Sequence, residues 1–532
     1  MAAARPAAPA LKIPRGRTPS GKIDYLTLSF AELDAEATAW GARLTAAGIG
    51  RGDRTLVMVR QGLPLIAAVF ALFRLGAVPV VIDHGMSRKN FLACVARSRP
   101  RALVGIPLAQ VMSRVFRSAF ATVQIRVWAR GSTTSRLASG LKPKPYTLQP
   151  ARSATTELAA ILFTSGSTGA PKGVCYEHGM FEAQVNLIRD TYGITPGEID
   201  LPMLPIFALF NPALGLTTIV PEIDPSRPAE VDPAKIVQAI LQENVTNSFG
   251  SPTLWSKIGD YCLAQKISLP SLRRVLCAGA TVPATLWRNS PVFLPRGRLH
   301  SPYGATEALP VANISADEID PASVRGACVG RPLPGIAVKI IAIVDIPIAT
   351  LAQIRELPAG QIGEIIVCGP VVTKTYDALP DATAAAKIAD GATVWHRMGD
   401  CGYVDPAGRL WFCGRKAERV ETATGIMYTE PCEQVFRVHR RVTRCALIGL
   451  GEPGRQRPAL VVEARPKNAA DRQTFARELR ALGQEQTHTA AISRFYFHPQ
   501  FPVDVRHNAK IHRLTLAQWA ATAHDGEETS AS

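Results

Sequence analysis

The chain is 532 residues long, 47% hydrophobic and formally charged at +17. That length allows about three or four domain-sized units, and no zinc-finger spacing, RNP motif or basic-region heptad accompanies the charge, which argues against nucleic acid as a partner. The positive field favours anionic ligands, an acidic partner such as another enzyme of the same pathway, or an anionic membrane surface, although an Arg-rich genome bias yields the same total.

Ten cysteines lie singly between Cys94 and Cys445, with no C-x-x-C pair and no His/Cys cluster at zinc spacing. They read as small core hydrophobes of a protein in the reducing cytoplasm. The first 24 residues are rich in Pro, Ala and Arg. They lack an uninterrupted apolar run and are expected to be loosely ordered rather than a targeting helix. From Phe30, apolar residues at Leu33, Ala37 and Leu44 predict a helix ending near Gly48, followed by a turn at Gly50-Arg51-Gly52-Asp53. A strand over Thr55–Val59, a helix over Leu65–Phe73 and a strand over Val78–Ile82 make a βαβ unit, so parallel sheet is expected. Leu63 to Ile82 is not a membrane span, since Arg74, Gly76 and Pro79 divide it. Residues from about Pro107 to Ser153 are Arg/Lys-rich and weakly periodic, which predicts a variable surface region.

A second apolar run, Leu158–Phe163, empties into Thr164, Ser165, Gly166, Ser167, Thr168 and Gly169 and leaves through Pro171, Lys172 and Gly173. These residue types suit polyphosphate. Glycines allow φ > 0 and turn backbone N–H groups inward, four hydroxyls donate further, and Lys172 adds a mobile positive charge. The loop is not a Walker A motif, because the residue after Lys172 is glycine rather than a magnesium-ligating hydroxyl. A surface linker of the same composition needs neither an apolar strand before it nor an amphipathic helix after it. That helix is legible in Phe181, Val185, Ile188 and Tyr192, with Gly193 placed to end it.

The segment TSGSTGAPKG resembles the signature loop of the AMP-forming adenylating enzymes, which include acyl-CoA synthetases, luciferases and nonribosomal peptide adenylation domains. The resemblance implies ATP and Mg²⁺ as cofactors. It also implies an α/β fold: a large N-terminal domain of stacked α/β sheets, here residues 1–415, and a small mobile C-terminal α+β domain, residues 416–532, carrying a catalytic lysine.

Further along, Pro205, Phe207, Phe210 and Pro212 in LPMLPIFALFNPALGL either line an apolar acyl channel or are plain core. In VLCAGATVP a strand ends at Gly279 and Ala280, whose small size permits a flat base to approach the backbone. Tyr303-Gly304-Ala305-Thr306-Glu307 resembles the family's second signature. By that resemblance Tyr303 stacks on adenine, Thr306 hydrogen-bonds the α-phosphate and Glu307 holds Mg²⁺, roles that suit an aromatic face and a carboxylate. GEIIVCGP at 363–370 reads as a strand and turn. In HRMGDCGYVDPAGRLWFCGRK, Asp400 is the candidate for the ribose hydroxyls, since a carboxylate accepts two hydrogen bonds from a cis-diol. Val404–Leu410 reads as a hairpin turn, and by resemblance Arg415 also reaches the nucleotide. Many relatives place a pivot aspartate two residues after this arginine. Here Ala417 stands instead, which puts the usual rotation of the small domain in question. Arg437-Val438-His439-Arg440-Arg441 reads as a solvated face or, less often, a docking surface. Lys510, in Asn508-Ala509-Lys510-Ile511, occupies the position of the family's C-terminal catalytic lysine, where relatives usually show Ser-Gly-Lys.

A carboxylate resists attack because its leaving group would be oxide, and adenylation replaces that with AMP. Lys172, Lys510, Thr306 and Glu307-bound Mg²⁺ suffice for this by positioning and electrostatics alone. FTSGSTGAPKGV, LFNPALGLTTIVP, SPYGATEALPV and PVDVRHNAKI together resemble one subgroup, the β-lactone synthetases of bacterial olefin biosynthesis. Those enzymes act on 2-alkyl-3-hydroxy fatty acids, and the substrate's own β-hydroxyl closes the ring. The alternatives are a medium- or long-chain fatty acyl-CoA or acyl-AMP ligase and a silent adenylate-binding scaffold, against which intact Lys172, Glu307, Asp400 and Lys510 count. His178 and His507 are conceivable bases for ring closure but more often structural, and neither is assigned.

Overall fold

Short apolar runs alternating with amphipathic stretches leave strands whose two faces must both be covered, and helices that cover them. The computed structural model describes residues 1–83, 85–129, 153–164, 170–224, 227, 230–320, 323–503, 510–523 and 527–528. One sheet has six strands in the order Ile125–Trp128, Ala102–Gly105, Arg54–Met58, Val78–Ile82, Leu158–Thr164 and Lys172–Glu177. Every neighbouring pair is parallel except the last. The expected βαβ unit is there, with its helix extended to Leu63–Leu75 and ended by Gly76 at φ +67. The preceding helix, Phe30–Ala46, starts at a Ser29–Glu32 capping box.

A second sheet has fourteen strands. Its parallel centre comprises Ile199–Pro202, Asn247–Gly250, Arg274–Cys277 and Arg298–Ala305. Helices Pro233–Glu243, Pro252–Gln265 and Ala284–Phe293 supply its cover, and Trp255, Phe293 and Leu299 are fully buried in that core. Beyond Arg298–Ala305 the sheet turns antiparallel through Ala308–Ser315, Ala327–Pro332, Leu410–Arg415 and Thr393–Val404. A separate four-stranded sheet, Cys445–Leu450, Arg457–Glu463, Arg494–His498 and Glu527–Glu528, shares a core in which its Phe495 joins Phe475 of the helix Ala469–Gln484 and Phe436 of the helix Thr429–Phe436. Large α/β sheets plus a smaller α+β region is the architecture expected.

Three expectations need correction. The first 24 residues are not loosely ordered: Pro9–Arg17 pairs with Thr217–Ile219 and Ile23–Ser29 at one end of the large sheet. Register shifts beside Pro9 and Pro14 absorb the missing N–H donors. The stretch after Pro107 is not featureless surface, since Pro107–Val115 is helical, Phe120 is buried and Ile125–Trp128 forms the sheet edge; 130–152 lie outside the described residues. After the phosphate-loop candidate comes the expected helix, His178–Tyr192 ended by Gly193, with the strand Lys172–Glu177 between them. The basic run at 437–441 is largely engaged internally. Arg437 bonds Glu430 and Glu433, and Arg441 bonds Asp471 and lies 4.0 Å from the Phe475 ring centroid.

All ten cysteines are free thiols, seven of them buried. Among the described residues no helix is long and apolar enough to cross a membrane.

Candidate active site

The two strands that flank the loop pair antiparallel, so Thr164 faces Lys172 across its mouth. Gly173 is required there: a Cβ would sit 2.6 Å from Phe163 Cζ. Ser165, Gly166, Ser167, Thr168 and Gly169 lie outside the described residues. From the exit strand, Tyr176 donates its hydroxyl to the Thr306 carbonyl, which fastens this hairpin to the turn between Arg298–Ala305 and Ala308–Ser315. Gly304 sits at the register shift just before that turn, where a Cβ would meet the Ala308 carbonyl oxygen at 2.6 Å. The two signature segments, far apart in sequence, are therefore neighbours.

Glu307 is oriented from two sides. Its carbonyl accepts from the Thr373 N–H at 2.9 Å and hydroxyl at 3.1 Å, and its Oε1 accepts from the Tyr376 hydroxyl at 2.7 Å. The Lys172 Nζ lies 4.8 Å from the Tyr376 ring centroid, a cation–π distance. Tyr376 is thus the common neighbour of Lys172 and Glu307. Behind it Lys387 is buried, and its Nζ donates to the Thr373 carbonyl and, at 3.2 Å, to the Thr373 hydroxyl. Burial pushes the Lys387 ammonium down to about 7; Glu307 opposes the shift and Lys172 adds to it. Its cross-strand partner His396 is buried and held well below the usual imidazole range by burial and by Lys387. Sequence reasoning missed Tyr176, Thr373, Tyr376 and Lys387, because no motif marks them.

The lysine gives a testable pH dependence. Between about 7 and its ordinary 10.5, the unfolded chain holds a proton on Lys387 that the folded chain has released, so stability rises with pH across that window. The urea midpoint of the ligand-free protein is expected to climb faster from pH 7 to 10 in the parent than in Lys387→Met. Parallel curves would reject the buried, deprotonating lysine.

A second group forms on paired strands. Asp400, 3% exposed, stands opposite Arg415. Its Oδ1 accepts from Arg415 Nη1 at 2.7 Å and its Oδ2 from the Tyr303 hydroxyl at 2.6 Å. Burial first, and the Asp400 charge second, push the Tyr303 hydroxyl far up, so it stays a donor. Ala280 and Gly279, the latter at φ +102, follow the strand Arg274–Cys277, which pairs with the strand carrying Tyr303.

Lys510 enters from the C-terminal segment. The next residue, Ile511, is buried and bridges Val503, and Arg513 bonds both Glu433 and Glu418. Burial pushes the Glu418 carboxyl up, while Arg513, Arg415 and Lys510 pull it down. One carboxylate therefore lies within electrostatic reach of both Arg415 and Lys510. Residues on either side of Ala417 are anchored in opposite directions: Lys416 to Glu364 at 3.2 Å and the Val344 carbonyl at 2.9 Å, Glu418 to Arg513 at 3.1 Å. His507, Asn508 and Ala509 lie outside the described residues, and His178 packs edge-on against Phe73.

Pro205, Phe207, Phe210 and Pro212 are each half-buried, unlike the core residue Ala208 among them. Phe207 stacks on Phe249 with centroids 3.7 Å apart and lies 6.3 Å from Phe210.

Residues 2–377 match a family described as AMP-binding enzyme. The chain belongs to the AMP-binding enzyme family. It is 46% identical to the olefin beta-lactone synthetase of Xanthomonas campestris pv. campestris, across 98% of this chain and 96% of that protein. To the olefin beta-lactone synthetase of Stenotrophomonas maltophilia it is 44% identical, with the same coverage. Among solved structures, the amide bond synthetase McbA from Marinactinospora thermotolerans superposes with a TM-score of 0.78 over 97% of each chain at 22% identity, a likeness of fold alone. As an AMP-binding enzyme of this fold the chain is an AMP-forming ligase that uses ATP and takes a small-molecule acid.

Proposed function

We propose that this AMP-binding enzyme joins the carboxylate of a 2-alkyl-3-hydroxy fatty acid to AMP and then closes the acyl-adenylate to a β-lactone. The observation that carries this reading is the 46% identity, across 98% of the chain, to a protein named for that reaction. In the first step the carboxylate oxygen attacks the α-phosphorus of ATP and pyrophosphate leaves. In the second the β-hydroxyl attacks the activated carbonyl, loses its proton, and AMP leaves with the electron pair of the cleaved C–O bond.

The side chains divide this work by charge and position. Lys172, Thr306 and Lys510 hold and neutralise the α-phosphate as the carboxylate approaches, and residues 164–169 cradle the outer phosphates. Tyr303, Gly279 and Ala280 flank the base, while Asp400 accepts from the ribose and is itself held by Arg415 and Tyr303. Among the described residues no three acidic, histidine or cysteine side chains gather into a metal cage. Magnesium does not need one, because one carboxylate with phosphate oxygens and water suffices. Glu307, with Oε1 already oriented by Tyr376, fits that donor set. Bound there, the ion would neutralise phosphate charge. The half-buried Phe207 and Phe210 suit an alkyl chain.

Residues 1–415 and 416–532 act in this reading as two domains joined at Ala417. Ring closure needs no second substrate, so a crossing without a pivot acid is no handicap. The cytoplasm, with contact to a pathway enzyme or membrane surface through the basic exterior, completes the proposal.

The test is incubation with ATP, Mg²⁺ and a 2-alkyl-3-hydroxy acid, with and without coenzyme A. AMP release and a product lighter than the acid by one water, both independent of coenzyme A, are expected. Strict coenzyme A dependence would mark a thioester-forming ligase, and no AMP from any acid would mark a silent scaffold.

A further inference from the structure

The parallel strands of the large sheet have two ends, and the catalytic candidates occupy only one. At the opposite end, where Arg274–Cys277 and Arg298–Ala305 begin, a cleft of about 900 Å³ opens. Four arginines line it, Arg273, Arg274, Arg296 and Arg298, and among the described residues no carboxylate does. Across the strand Arg298–Ala305 it lies about 23 Å from the signature turn, at about 3.3 Å per residue.

The arginines are unequally committed. Arg274 is spent: it donates to Glu198 at 2.6 Å, to Asn247 at 2.7 Å and to the Gly193 carbonyl at 3.0 Å. Arg273 approaches Glu198 only to 3.7 Å and Arg298 approaches Asp317 only to 3.5 Å, both with side chains more than half exposed. Such contacts contribute little. Arg296 is exposed, and no hydrogen bond or ion pair joins it to the described residues. Glu198 and Asp317 partner three of these guanidiniums and Glu318 acts with Asp317 on His300 of the lining, so four guanidiniums against three carboxylates leave one positive charge in excess. Thr191 and Ser271 also belong to the lining, with their hydroxyl oxygens buried beneath its surface and without a hydrogen-bond partner. An unpaired buried hydroxyl costs free energy unless something fills its valence.

We propose that this cleft is a second anion site, remote from the catalytic one, for a ligand carrying more than one phosphate charge. The planar guanidinium forks of Arg273, Arg296 and Arg298 offer more donors than the four lone-pair positions of one carboxylate can use. A diphosphate, with several charged oxygens, can accept from more of them. The same chemistry arrives either as free pyrophosphate or as the phosphomonoester headgroup of a lipid.

Calorimetric titration of inorganic pyrophosphate into the full chain loaded with a non-hydrolysable ATP analogue, at low salt, isolates this site from the nucleotide site. One salt-sensitive binding event is expected. The Arg296→Ser/Arg298→Ser double variant should weaken it at least about tenfold, two charge-assisted contacts being removed, with melting temperature and acid-dependent AMP release unchanged. Arg296→Lys/Arg298→Lys should restore part of the loss. In the second arm, the parent but not the double variant should sediment with phosphatidylcholine vesicles containing phosphatidic acid if the headgroup is the source. Failure of both ligands to bind, or binding that the double variant leaves intact, overturns the proposal. If the chain takes no nucleotide analogue, the difference between parent and double variant still reports on the cleft, so the two readings fail separately.

Discussion

Lys510→Ala is expected to slow acid-dependent AMP formation by about 100- to 1000-fold, the cost of removing one preorganised donor from a charge-developing transition state. The backbone that presents the lysine does not depend on its side chain. Ile511 is buried and paired with Val503, and Arg513 fixes the start of the following helix to Glu433 and Glu418. What the substitution removes is a positive charge within reach of Glu418, the carboxylate that also lies beside Arg415. If that charge acts on the α-phosphate only while the carboxylate attacks, kcat falls while KM for ATP changes little. Initial rates of AMP release against ATP concentration make the distinction. A variant within threefold of the parent would remove Lys510 from the mechanism, and a rise in KM alone would make it a binding residue.

The same residues show what a sequence discloses. TSGSTGAPKG and YGATE are legible because each is a contiguous segment, and at their described glycines Gly173 and Gly304 no side chain fits: a Cβ on Gly173 would strike Phe163 and one on Gly304 would strike Ala308. The Asp400–Arg415 pair was legible as two positions, and the hairpin placed them in register. The groups that join these pieces were silent. Tyr176 reaches Thr306 across 130 positions and Tyr376 reaches Glu307 across 69, and contacts of that span leave no periodic trace. Nothing in the sequence around Lys387 marks it, and only the tertiary fold buries it. The opening strands were disguised by Pro9 and Pro14, residues that ordinarily argue against a strand and are tolerated here at register shifts.

Glu433 carries the largest expected stability effect. Its carboxylate is completely buried and accepts four hydrogen bonds, from Arg513 Nε at 2.7 Å and Nη2 at 2.8 Å, Arg437 Nη2 at 2.7 Å and the Leu447 N–H at 3.0 Å. Four donors fill its lone pairs. Glu433→Ala leaves two guanidiniums facing a void, a loss of about 3 kcal/mol. That is the low end for a broken buried pair, because Arg437 keeps Glu430 and Arg513 keeps Glu418. Backbone amides of Cys445–Leu450, the strand beside it, should then exchange with solvent about 100-fold faster where exchange follows opening of this region. The acid dependence has a definite sign. Burial pushes the Glu433 carboxyl up, but Arg513, Arg437 and the Leu447 N–H together hold it below its ordinary 4.5. Its stabilisation is therefore present above pH 4.5 and lost as pH falls through the lower folded value. Glu433→Gln should remove that share of the acid sensitivity. Because Arg513 sits three residues beyond Lys510, both variants should also lose AMP formation at denaturant concentrations that leave the parent active. Unchanged exchange at Cys445–Leu450 in Glu433→Ala would show that the neighbouring acids take over its role.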